Sequence, residues 1–134
     1  MDKNFPDGYE VAKKSDVRYR KRTKAPAATI QRSGTLTLNT TAMAFLLRPG
    51  EKEEASIPAY IGYNPELRKI AIRRSSVRGD FPEIVSITRT GEFKNLGVFS
   101  LKWYASHFGI PITGRRHPVQ FEAGVLYVNL AATI

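Results

Sequence analysis

Residues 13 to 24 read Lys-Lys-Ser-Asp-Val-Arg-Tyr-Arg-Lys-Arg-Thr-Lys, where seven basic side chains (Lys13, Lys14, Arg18, Arg20, Lys21, Arg22 and Lys24) face one acid, Asp16. Positive charge at that density attracts polyanions. Each phosphate it neutralises releases condensed counterion, so affinity falls steeply with salt. The segment carries +6 of the formal net charge of +9, seven bases less one acid, and the rest of the chain carries +3. Further arginines recur beyond it. Arg73 and Arg74 close one apolar stretch, Arg78 follows in Ser-Ser-Val-Arg-Gly, Arg89 approaches a turn, and Arg115 and Arg116 precede the last apolar stretch. Aromatic residues are interleaved with them: Tyr19 inside the basic segment, then Tyr60, Tyr63, Phe93, Trp103 and Tyr127. Rings beside guanidinium groups suit single-stranded nucleic acid. Unstacked bases lie on the rings, at roughly 1–3 kcal/mol per base, while the arginines hold phosphates.

Catalysis has less to work with. His107 and His117 fall in different segments, and neither has a carboxylate spaced as a metal-ligand set or an acid/base pair would need. His107 reads as a polar-face residue near a helix end, and His117 as part of a basic loop with Arg115 and Arg116. Glu51, Glu53 and Glu54 lack the turn glycine and backbone carbonyls of a calcium loop. No phosphate-binding glycine loop, nucleophile elbow or dinucleotide fingerprint is present. With no cysteine, disulfides and thiolate-ligated metals are excluded. The expectation is a non-enzyme with no catalytic residues, no metal site and no cofactor. The chain shows neither a signal-peptide core nor an apolar run of membrane-spanning length, so no membrane partner is expected, and cytoplasm or nucleoid is the expected location.

The elements that position these residues can be read from turn signals and apolar spacing. Residues 1–27 hold many charges and few branched apolar side chains, which predicts a flexible basic arm that orders on a partner. A folded domain is expected over 28–134. Ile30, Leu36 and Leu38 flank the turn signal Ser33-Gly34 and predict a hairpin. Asn39 is expected to cap a helix over Thr40 to Leu47 that stops at Arg48-Pro49-Gly50. Ile57 to Tyr63 and Ile70 to Ile72 predict a second hairpin around Asn64-Pro65-Glu66. In this hairpin alternation sends Tyr60 outward and Tyr63 inward.

Ile84 to Arg89 and Glu92 to Phe99 predict a third hairpin, with Gly97 a candidate bulge. Ser100 is expected to cap a helix over Leu101 to Phe108 whose stripe is Leu101, Tyr104, Ala105 and Phe108, ended by Gly109. Trp103 falls beside that stripe. It is read either as packing on Phe99, as an interface residue for a second subunit in a homo-oligomer, or as a nucleic-acid contact. Val119 to Phe121 and Val125 to Leu130 complete a fourth hairpin. The pattern is two β-β-α-β-β units, 28–74 and 84–131, and the fold class is α+β, with antiparallel sheets or a barrel and the helices against one side.

Hairpins joined by a short helix and repeated once resemble, as a pattern over residues 28–134, the Whirly proteins and the related transcriptional-coactivator family that bind single-stranded DNA. The order here is a shifted version of their four strands and a helix, and no residue motif carries over. The segment from Ala59 to Ile72 is also similar to stretches of small phage and mobile-element proteins. These readings converge on a nucleic-acid-binding protein, with single-stranded DNA ahead of RNA or duplex. The predicted contacts are the arm residues with Tyr19, together with Tyr60, Arg73, Arg74, Arg78, Arg89, Arg115 and Arg116. The competing expectation is a structural or assembly protein, such as a phage component, whose arm binds a neighbouring subunit.

Overall fold

The chain is described here from a computed structural model covering residues 25–48, 54–77, 81–91 and 95–134. The arm from Lys13 to Lys24, together with Arg78 and Phe93, lies outside the described residues. The elements are β1 (Ala27–Ile30), β2 (Thr35–Leu38), α1 (Thr40–Ala44), β3 (Ser56–Asn64), β4 (Lys69–Arg74), β5 (Val85–Thr90), β6 (Leu96–Ser100), α2 (Lys102–Phe108), β7 (Arg116–Glu122) and β8 (Val125–Asn129).

Alternation gives each strand one apolar face, and closing the sheet buries all of those faces together. The eight strands form a closed antiparallel barrel in the order β1-β2-β6-β5-β3-β4-β8-β7, with β7 returning to β1. Ile30, Leu36, Leu38, Ile57, Ile70, Ile72, Ile87, Leu126 and Val128 fill it, a number of strands at which side chains just occupy the interior. The fold is thus mostly β with two short helices, within the α+β class expected.

Turn chemistry sets the registers. Asn64 Oδ1 accepts from the backbone N–H groups of Glu66 and Leu67 at 3.0 and 3.2 Å, an Asx-type turn. It fixes the pairing of Tyr60 with Arg73 and of Gly62 with Ala71. Ala123 and Gly124 both have positive φ, 50° and 79°, the mirror-image turn whose twist suits a two-residue hairpin.

The helices close the barrel rather than lying along one side of it as expected. α1 follows the C-terminal end of β2 and sends Met43 into the core, with Leu46 just beyond it. α2 packs beside Gly34 at the other end of β2, and Leu101, Ala105 and Ile110 are buried there. Asn39 caps α1 as expected, accepting from the Ala42 N–H at 2.9 Å. Its Oδ1 also accepts from the Ala27 N–H and its Nδ2 donates to the Ala25 carbonyl, so the cap also fixes the root of the arm. β1 begins at Ala27, inside the segment read as arm, because its register with β7 starts there.

Four local readings are corrected. Helix α1 ends at Ala44 rather than Leu47, and Phe45 and Leu46 form a turn. Ser100 remains the last residue of β6 and does not cap; α2 starts at Lys102 after Leu101, without a side-chain cap. Phe108 is exposed rather than on the buried stripe. Gly97 lies in unbroken register with Leu38 and Arg89, so it is not a bulge. A Cβ there would stand 2.6 Å from Met43 Sδ, so the glycine is what admits the plug from α1.

Candidate nucleic-acid interface

Tyr60 and Arg73 are direct cross-strand partners on the outer face of β3 and β4, where paired side chains stand about 5 Å apart at Cβ. Tyr60 is 37% exposed and Arg73 is exposed, while Tyr63 is half-buried against the core. The alternation read from the sequence therefore holds for both tyrosines. One row further along β4, Arg74 has the inward parity of Ile70 and Ile72. Its guanidinium is half-buried and Nη1 donates to the Leu46 carbonyl at 2.7 Å. Arg74 thus ties α1 to the barrel rim and forms the floor of the site, whereas Arg73 projects from it.

Around these residues lies an open-sided groove of about 350 Å³, whose lining includes Phe45, Arg48, Tyr60, Arg73, Arg74 and Phe121. Phe45 and Phe121 stack on each other with ring centroids 4.8 Å apart and planes within 5°. They are 43% and 40% exposed. Phe121 has inward parity on β7 but stands past the last complete layer of the core, and so meets Phe45 at the barrel mouth rather than inside it. Sequence reasoning missed Phe45, Phe121 and Arg48. Phe45 falls within the helix that the sequence predicts and Phe121 within an ordinary strand, and nothing in their spacing signals that the two rings meet 76 residues apart in sequence.

The root of the arm opens beside this groove. The Val119 N–H donates to the Pro26 carbonyl at 3.1 Å, and Phe121 is two residues further on the same strand, about 7 Å away. A basic segment attached at Ala25 is therefore anchored at the groove's edge. The described residues add their own field, with ten lysines and arginines against four glutamates, Glu54, Glu66, Glu83 and Glu122.

The arginines divide between the two ends of the barrel. Arg89 has the inward parity of Ile87, and its Nη1 donates to the Glu54 carbonyl at 3.3 Å, at the start of β3. It stands at the α1 end, paired with Gly97, but beyond the start of β3 rather than beside Tyr60. Arg115 and Arg116 open β7 at the opposite end of the barrel, where Arg116 pairs with Thr29. Arg32 lies over Gly114 there: a Cβ on that glycine would come within 2.9 Å of the Arg32 stem. His117 belongs to no basic loop. It is buried, with Nδ1 2.6 Å from the Ala132 carbonyl and Nε2 2.6 Å from Thr113 Oγ1. It ties the C-terminal residues to β7. His107 sits exposed in the last turn of α2, as read from the sequence.

Trp103 is 77% exposed on α2, whereas Phe99 is buried in the core, so Trp103 does not depend on packing against it for burial. No cluster of three or more His, Asp or Glu side chains able to hold a metal occurs among the described residues. No helix among them is long and apolar enough to cross a membrane. Comparison with known proteins finds no matching family model, no matching curated protein and no matching solved structure.

Proposed function

We propose that this protein binds single-stranded nucleic acid, DNA ahead of RNA, without a catalytic step. The observation that carries the reading is the groove at the α1 end of the barrel, where the exposed Tyr60 ring and the Phe45–Phe121 stack stand beside Arg48 and Arg73. Rings that are open to solvent accept unstacked bases, and duplex bases are unavailable to them. The arm supplies capture at longer range: its seven basic residues raise local polyanion concentration, and its root at Ala25 delivers the captured strand to the groove. The same reading suits a cytoplasmic or nucleoid protein. The pattern-level likeness to the Whirly and coactivator families points the same way and adds no residue.

Two-unit organisation is part of the proposal. Exchanging β1-β2-α1-β3-β4 with β5-β6-α2-β7-β8 leaves the ring of strand neighbours unchanged, which supports the reading of 28–74 and 84–131 as duplicated units.

A panel of single-stranded DNA, duplex DNA and RNA of one sequence, titrated at two salt concentrations, tests the function. Preference for the single strands, retained at the higher salt, is expected. Equal affinity for duplex at both salts would leave only charge attraction and reject the groove.

A second reading, an assembly protein, is favoured by one feature: Trp103 is exposed, as are Phe108 and Ile112 a few residues on in the chain. Free sheet edges do not contribute, because the barrel closes. Under this reading Trp103→Ala lowers the oligomeric state seen by light scattering, and a wild-type monomer at high micromolar concentration removes it.

A further inference from the structure

A second depression lies on the outer face of the barrel, next to the first. It measures about 290 Å³ and is lined by Gly62, Tyr63, Leu67, Lys69, Ala71 and Tyr127, with Asn64 at its end. Gly62 pairs with Ala71, and Ala71 with Tyr127, so a row across three strands begins with two nearly bare positions and ends at a ring. The preceding row begins with Tyr60 and Arg73. Alternate residues along a strand are about 7 Å apart, so the two depressions form consecutive steps on one face.

Gly62 is the unexplained residue. Its φ is not among the positive values, so backbone conformation does not call for glycine, and a Cβ there would meet no heavy atom within 4 Å. Glycine weakens a strand and commonly marks a place where another group approaches closely. Here nothing within the described chain makes that approach. Lys69 and Arg73 bracket the bare floor on the same strand face, and the nearby turn adds Arg68 against Glu66. A flat apolar floor between two cations matches a nucleotide, with its base on the floor and its phosphates at the ends. It matches a second copy of this chain poorly, since each copy carries a net charge of +9.

We propose that the trough over Gly62 and Ala71 is a second nucleobase subsite, in which a base lies flat beside the Tyr127 ring with Lys69 and Arg73 on the flanking phosphates. The strand then runs along β3 and β4, from the barrel mouth at Phe45 and Phe121 past Tyr60 to the β3–β4 turn. This rests on the single-strand reading above and deepens it by fixing the path.

Gly62→Val fills the trough from one strand and Ala71→Leu from the other, and each is measured in the full chain. Thermal unfolding, light scattering, and anisotropy with oligothymidylates of about 3 and about 12 nucleotides are compared with wild type and with Tyr60→Ala. The expected result for Gly62→Val is an unchanged or raised melting temperature and about tenfold weaker binding of the longer strand, with the shorter strand and duplex unaffected. Ala71→Leu is expected to reproduce the loss, and does so independently if the valine variant folds poorly. Wild-type affinity for the longer strand in both filled variants, alongside a loss in Tyr60→Ala, overturns the trough and leaves the groove standing. A changed oligomeric state with unchanged DNA affinity assigns the trough to a second copy and also overturns it. If wild type itself fails to prefer single strands, the functional reading falls first.

Discussion

Across β1, β2, β5 and β6 the outward positions include Thr29, Thr35, Thr37, Ser86, Thr88 and Ser100. Across β3, β4, β8 and β7 they include Tyr60, Lys69, Arg73, Tyr127 and Gln120. Inside, the two halves of the wall are alike: Ile30, Leu36 and Ile87 line one, and Ile57, Ile72 and Leu126 the other, all buried. The interior answers to packing, which any large aliphatic residue serves, whereas the exterior is free of that demand. Small hydroxyl residues are what a half-buried sheet surface accepts at little cost. Rings, cations and a bare glycine on the opposite face are not required by the barrel, and the proposed binding surface rests on their concentration there.

The largest expected effect comes from the arm. Deleting residues 1–24 is expected to weaken oligonucleotide binding on the order of 100-fold at low salt, with the slope against log salt shallower by about 0.7 to 0.9 per lost phosphate contact. The melting temperature should barely move, because the aliphatic core begins at Ala28 and Ile30. Unchanged affinity and slope in the truncated chain would assign all binding to the cationic face.

The two strand glycines sharpen the contrast between inside and outside. Gly97→Val is expected to destabilise the fold by about 1–3 kcal/mol through overpacking, because its Cβ collides with Met43 Sδ. Gly62→Val meets open space. Chemical denaturation of both variants side by side checks this, and a neutral Gly97→Val would mean that α1 does not plug the barrel as described.

Tyr60→Ala is expected to cost about 1–3 kcal/mol of affinity for single-stranded DNA and almost nothing for duplex. Thr88→Ala, on the hydroxyl face, serves as its control and is expected to change neither. Equal losses in the two variants, measured by anisotropy, would erase the distinction between the faces.

The smallest effect concerns the joint between arm and barrel. Asn39→Ala removes the α1 cap, worth about 1 kcal/mol, together with the hydrogen bonds to Ala25 and Ala27. A modest drop in melting temperature is expected. Affinity for short oligonucleotides should fall only modestly, since Tyr60 and Phe121 stand on strands and only Phe45 of the groove's rings follows α1.

The sequence alone carried the hairpins, the Asn39 cap, the order of ten elements and the outward turn of Tyr60, because each depends on alternation or turn chemistry within about ten residues. It also carried the charge of the arm, a property of composition. Tertiary structure decided what depends on distance along the chain. Closure of β7 onto β1 removed the sheet edges and set the helices at opposite ends. It also placed Arg115 and Arg116 at the opposite end of the barrel from Arg73 and gave Arg89 an inward parity, since residues that look alike on a string of hairpins fall at different heights and parities once the registers are fixed. The meeting of Phe45 with Phe121 and the Arg74 tie to Leu46 were equally invisible, because no local pattern records which loop a barrel mouth brings beside which. Gly97 shows the same limit: locally it reads as a weak point in a strand, and only the approach of Met43 from α1 gives it a physical reason.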